Sequence, residues 1–178
     1  MRILKIIGLV VLTLVAAILI AGAFMKKDFH FEMSKQINAP SARVWDNVLY
    51  FKNHANWSQW KEMDPAMQVS ITGTDGTPGA KMAWTSTHKD VGNGSQTITS
   101  VDPGKRVDTE LDFDGKGKAT SFMTVEGDST QCTATWALDM KAPYPMNAVM
   151  GIFMGETAMN DMFEKGLSML KNTSEAGK

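Results

Sequence analysis

From Ile6 to Met25 the chain runs IIGLVVLTLVAAILIAGAFM without one charged residue, and no other feature restricts its fold so sharply. Arg2 and Lys5 lie before the run, and Lys26 and Lys27 follow it. At a rise of about 1.5 Å each, about 20 apolar residues cross the roughly 30 Å hydrocarbon core of a bilayer. A single segment in that medium must be a helix, because only a helix pairs all of its own backbone polar groups. Residues 1–27 therefore read as a transmembrane anchor. A cleaved signal peptide is the competing reading, with Ala21-Gly22-Ala23 as its cleavage site. The run exceeds the usual signal core of about 7–15 residues, and Lys26-Lys27 suits a membrane edge, which favours the anchor. The signal-like start places the domain that follows on the extracytoplasmic side of a single-pass protein.

The rest is ordinary soluble sequence. Of 178 residues, roughly 150 remain, the size of one domain with a full core. With Arg2, Lys5, Lys26 and Lys27 set aside, 14 basic residues face 19 acidic ones, a net charge of −5. That balance argues against nucleic acid as a partner, since a phosphate backbone needs a basic patch. Cys132 is the lone cysteine, so no internal disulfide or cysteine-built metal site is available. His30, His54 and His88 have no spacing that suggests a shared metal.

Residues 29–37 alternate strictly, with Phe29, Phe31, Met33 and Ile37 on one face, and read as a half-buried strand. Asn38-Ala39-Pro40-Ser41 breaks it, and Val44, Trp45, Val48 and Leu49 then recur at helical spacing. Six short alternating runs between Met67 and Met140, separated by Gly, Pro, Asn and Asp, read as an antiparallel meander. Met159, Met162, Phe163, Gly166, Leu167 and Leu170 then make one face of a long amphipathic helix. Strand, helices, six strands and long helix form one α+β domain over residues 28–172, with 173–178 expected as a disordered tail.

Several short motifs occur in order along the chain. INAP-S-ARVW closes the first strand. Trp57-x-x-Trp60 is followed by Met63-Asp64-Pro65, Gly79-Ala80-Lys81, Gly92–Ser95 and Pro145-Met146-Asn147. With this element order the chain resembles the SRPBCC or START-like helix-grip superfamily, and within it bacterial membrane-anchored proteins described as polyketide cyclase or dehydrase-like. The resemblance covers residues 29–172. It implies the helix-grip (Bet v 1-like) fold, a curved antiparallel sheet wrapped on a long C-terminal helix. It implies a hollow between sheet and helix, and it carries over no catalytic residue.

Strand parity selects the side chains that would line that hollow: Met82, Trp84, Phe113, Met123 and Trp136 from the sheet, and Met150, Met154 and Phe163 from the helical side. Met146, Met150 and Met154 recur every fourth residue and would form one ridge, flexible enough for an irregular apolar ligand. Each of these residues taken singly is better explained as plain core, and the case for a pocket is a collective one. His54 and Tyr144 are the polar groups placed to reach a pocket mouth. Trp57 and Trp60 would cap the pocket, meet a bilayer interface or close the core beneath the first helix. No G-x-S-x-G, H-E-x-x-H or P-loop occurs, and no cofactor is expected. The function expected is a membrane-anchored binder of a hydrophobic small molecule or lipid. The alternatives are a polyketide cyclase or dehydratase-like enzyme and an envelope protein-interaction module.

Overall fold

The computed structural model describes residues 2–115, 117–153 and 156–177. Helix α1 (Arg2–Phe24) precedes β1 (Asp28–Ile37) and three short helices, α2 (Ser41–Leu49), α3 (Phe51–His54) and α4 (Gln59–Met63). Strands β2 (Gln68–Thr72), β3 (Lys81–Thr85), β4 (Gly94–Asp102), β5 (Arg106–Asp112), β6 (Lys118–Gly127) and β7 (Cys132–Lys141) follow. Helices α5 (Met146–Phe153) and α6 (Glu156–Glu175) end the chain.

The seven strands form one sheet in the order β1-β7-β6-β5-β4-β3-β2, antiparallel at every step. The first strand thus closes on the last, and β2 is left as the far edge. Register carries one face across the whole sheet. Met33 opposes Trp136, Trp136 opposes Met123, and Met123 opposes Val107. Leu111 opposes Gln96, Gln96 opposes Met82, and Met82 opposes Ile71. The pairing of β4 with β5 shifts between Ile98 and Ser100, an irregularity of the kind that bends a strand and helps a sheet curl.

Helix α6 lies along the β1 and β7 side of this face and also meets α2 and α4. Its apolar stripe buries Met159, Phe163, Leu167 and Leu170, the face that the spacing predicts. Two core clusters result. Ile37, Val44, Trp57, Val125, Ala134, Leu167 and Leu170 belong to one, and Phe29, Phe31, Leu138, Met150, Met159 and Phe163 to the other. Met33 and Trp136 pack against both.

The tail differs from the sequence expectation. Helix α6 continues through Glu175, and Thr173 and Ser174 are buried. Thr173 Oγ1 donates to the carbonyl of Asn56 at 3.0 Å, Arg43 Nη1 donates to the Ser174 carbonyl at 3.1 Å, and Asn47 Nδ2 donates to Ser174 Oγ at 3.2 Å. Small polar residues at the end of an amphipathic pattern read as solvent-exposed. Here α2 and the turn after α3 supply partners from about 120 residues upstream, which local periodicity does not reveal.

Candidate functional site

The inward face of the sheet is apolar along its length, but its cover is uneven. Beneath α6 the face is closed. Toward the far edge, Met82, Trp84, Leu111 and Phe113 are only half-buried, and Val69 and Ile71 of β2 are exposed. The uncovered part of this face forms an open, shallow cleft on the β2–β3 side, and half-buried Trp136 stands where α6 begins to cover it. Two further hollows lie away from it, one along Phe29, Ala119 and Met140 and one beside Ala83, Asn93 and Asp112. The Trp136 ring meets Phe163 edge-on at a centroid distance of 4.7 Å, Trp60 at 6.2 Å and Trp57 at 6.3 Å. Gly166 makes this arrangement possible: a Cβ there would stand 2.6 Å from Trp136 Cζ3.

A short polar seam runs through this wall. Trp136 Nε1 donates to Ser121 Oγ at 3.0 Å, and Ser121 Oγ donates to the Ala137 carbonyl at 2.7 Å. Gln96 Nε2 donates to Thr109 Oγ1 at 3.0 Å, and Thr109 Oγ1 approaches the Ser121 carbonyl at 3.4 Å. Gln59 reaches across to donate to the Met162 carbonyl at 3.2 Å. Thr109, Ser121 and Gln59 are buried and paired, as buried polar groups must be to avoid a desolvation cost of about 1–3 kcal/mol each. None of these is in the set chosen from the sequence. The available signal was a hydroxyl at an apolar parity position, Thr109 beside Leu111 and Ser121 beside Met123.

Along the inward positions of the strands the titratable groups reduce to Lys35 and the buried thiol of Cys132. Lys35 Nζ donates to Glu164 and to Ser168 on α6, closing the rim on the β1 side. The Lys35 hydrogen bond, with help from Ser168, holds the Glu164 carboxyl below its ordinary range. Burial pushes the Cys132 thiol up, which leaves it an inert core group. Asp64 lies at the other rim. It accepts from Ser86 Oγ and from the backbone N–H of Ala66 at 3.0 Å, and the Ser86 bond is the main cause of its lowered pKa. The Met-Asp-Pro motif thus ties the turn after α4 to the β3–β4 loop. Among the described residues no group of three His, Cys, Asp or Glu is placed to hold a metal.

The residues selected from strand parity divide into two kinds. Met82, Trp84, Phe113 and Trp136 are half-buried on the cleft wall. Met123, Met150 and Phe163 are buried behind it. Met154 lies outside the described residues. The expected methionine ridge is not uniform, because Met146 at the first turn of α5 is 53% exposed while Met150 is 8% exposed. His54 does not reach a pocket mouth. Its Nε2 contacts the Val48 carbonyl at 3.0 Å, its ring meets Phe51 and Trp57, and burial lowers its pKa. Trp57 closes the core beneath α2, donating from Nε1 to the Asn47 carbonyl at 2.9 Å, whereas Trp60 is half-buried against Trp136. Tyr144 is exposed.

Comparison with known proteins gives a consistent fold. A family model described as polyketide cyclase / dehydrase and lipid transport matches residues 28–175. No curated protein matches the chain. Among solved structures, a protein from Arthrobacter aurescens is similar at a TM-score of 0.61 and 15% identity, covering 83% of this chain and 86% of that one. Truncated norcoclaurine synthase from Thalictrum flavum gives 0.59 and 12% identity, over 83% and 94% of the two chains. Ara h 8.0201 gives 0.52 and 14%, over 80% and 97%. At these identities the likeness establishes the helix-grip architecture.

Proposed function

We propose, on the premise that this chain belongs to the polyketide cyclase / dehydrase and lipid transport family, that it is a membrane-tethered receptor for a hydrophobic small molecule or lipid. The observation that carries this reading is the half-open apolar wall of Met82, Trp84, Leu111, Phe113 and Trp136, interrupted only by the neutral groups of Gln96, Thr109 and Ser121. A concave surface that is mostly apolar with a few oriented polar groups suits an apolar ligand held by shape and one or two hydrogen bonds. Half-exposed tryptophan and methionine adapt to irregular shapes better than a close-packed core does. Met123, Met150 and Phe163 back this wall and set its depth.

Acid–base catalysis on the bound molecule would need a His, Asp, Glu, Lys or Tyr within hydrogen-bond reach of it. The inward-facing lysine, Lys35, is engaged with Glu164 at the opposite rim, which favours binding over chemistry. Norcoclaurine synthase, solved with dopamine and hydroxybenzaldehyde, uses the same architecture, so the fold alone does not decide between the two. Helix α1 supplies the tether. Lys5–Phe24 is the one span among the described residues long and apolar enough to cross a bilayer, and it is exposed over nearly all its length. In this reading the domain faces the extracytoplasmic side.

The test is mass spectrometry of organic extracts from the purified full-length chain and from its Met82→Lys variant. Both carry the same anchor and therefore the same bound bilayer lipid. A charge on the half-buried wall should displace a cleft ligand without unfolding the domain. One class of apolar compound at near-stoichiometric amount in the parent, and depleted in Met82→Lys, is the expected result. Identical extracts from two folded proteins would dismiss the receptor reading.

A further inference from the structure

Pro145-Met146-Asn147 stands apart from the cleft wall, and its surroundings point elsewhere. Tyr144, Met146 and Val149 are 47%, 53% and 40% exposed, an apolar surface on the turn into α5 and on the helix itself. This surface is continuous with α1. A Cβ on Gly22 would stand 2.7 Å from the Cβ of Ala148, and one on Gly151 would stand 2.2 Å from Met25 Cε. Gly22 and Gly151 thus let α5 lie directly against the last turn of α1.

Asn147 fixes the contact. It is fully buried, and its Nδ2 donates to the carbonyls of Gly22 at 2.7 Å and Met25 at 3.2 Å. The last carbonyls of a helix have no partner within it, and near hydrocarbon such groups cost several kcal/mol unless something else donates to them. Asn147 is therefore a C-terminal cap for α1 supplied from another helix. Gly22 lies inside the apolar run, and Lys26 and Lys27 come after it.

We infer that α5 is a second membrane contact, lying in the bilayer interface beside the point where α1 leaves it, with Tyr144, Met146 and Val149 toward the lipid. The inference rests on α1 spanning the membrane. An element pinned to Gly22 sits at the depth of Gly22, and the apolar face it presents there is one that lipid accepts. Tyrosine at the edge of that face matches the preference of its amphipathic ring for the headgroup level. Met150, one turn on from Met146, is packed in the cluster of Phe29, Phe31, Met159 and Phe163. Strand direction brings the β3–β4 and β5–β6 loops to this same end of the sheet.

The full-length chain, with Cys132→Ala to leave one labelling site, would be reconstituted in phosphatidylcholine vesicles. Single cysteines at Met146 and Val149, at Val10 within the span and at Thr130 in the β6–β7 turn would each carry an environment-sensitive fluorophore. Phosphatidylcholine spin-labelled at carbon 5 or carbon 12 of its acyl chain would serve as quencher. The expected pattern is strong carbon-5 quenching at 146 and 149, carbon-12 quenching at Val10 and none at Thr130. Labels at 146 and 149 as unquenched as Thr130, with Val10 quenched, would overturn the α5 contact and leave the anchor standing. The same result with blue-shifted emission at 146 and 149 would mean that protein, such as a second copy, covers the face, and it overturns the inference equally. An unquenched Val10 would remove the span and the inference with it.

Discussion

At the scale of single residues the site is set by close fit around Trp136. Opposite volume changes on α6 should both be harmful there. Phe163→Ala removes a buried ring in contact with Trp136 and should cost about 3–5 kcal/mol in denaturant unfolding. Gly166→Ala adds one methyl where none fits and should cost about 1–3 kcal/mol. A Trp136→Leu change should recover much of the second loss and none of the first. Without that recovery, Trp136 is not what Gly166 accommodates. His54 acts independently of this fit. Burial disfavours its charged form, so its folded pKa lies below the ordinary value of 6.5. Folded protein then binds fewer protons than unfolded protein as pH falls past about 6.5, and stability drops by at most about 1.4 kcal/mol per pH unit. The loss continues down to the folded pKa and then levels. His54→Gln keeps a donor for the Val48 carbonyl and should flatten the stability profile just below about pH 6.5. An unchanged slope would mean that His54 is not the residue buried neutral.

At the scale of elements, the end of α6 is a joint and not a loose tail. Thr173, Ser174 and Glu175 hold the Asn56 carbonyl, the side chains of Arg43 and Asn47, and the Asn38 N–H. At about 1 kcal/mol for each buried hydrogen bond, stopping the chain after Asn172 should cost on the order of 2–3 kcal/mol. A truncation whose midpoint moves no more than a surface substitution would show these contacts to be dispensable. The joint marks where the sequence is legible and where it is not. Strand parity is a local signal, and it placed Met33, Met82, Val107, Leu111, Met123 and Trp136 on one face because period two leaves no other choice. The face of α6 follows equally from its spacing. Ser174 and Asn147 were opaque, because what buries them is a helix more than a hundred residues away. His54 was misleading for the same reason, since exposure of a short polar turn depends on what packs above it. The openness of the cleft is a property of coverage: Met82 and Leu138 look alike in sequence, but α6 lies over only one of them.

At the scale of the whole molecule, α1 is either attached to the domain or part of it. A full-length chain that stays in the membrane after alkaline carbonate washing, with its amino terminus at Met1 or Arg2, fits the uncleaved anchor. A soluble form beginning at Phe24 would establish cleavage. The sharper question is what residues 28–178 do alone. Both core clusters consist of residues from Phe29 onward, so the hydrophobic free energy of the domain does not depend on α1. The exception is Asn147, whose amide donates to Gly22 in α1 and to Met25 just after it. Removing α1 opens that amide to water, which satisfies it, so no buried orphan is left to unfold the domain. What removal does expose is Ala148 and Gly151 beside Met146 and Val149, enlarging an apolar patch that soluble monomers seldom carry. The fragment should therefore unfold cooperatively, with near-ultraviolet dichroism like that of the full chain. It should also self-associate on size exclusion, and Met146→Lys with Val149→Lys should return it to a monomer. A fragment without a cooperative transition would place α1 within the folding unit and end its description as a tether.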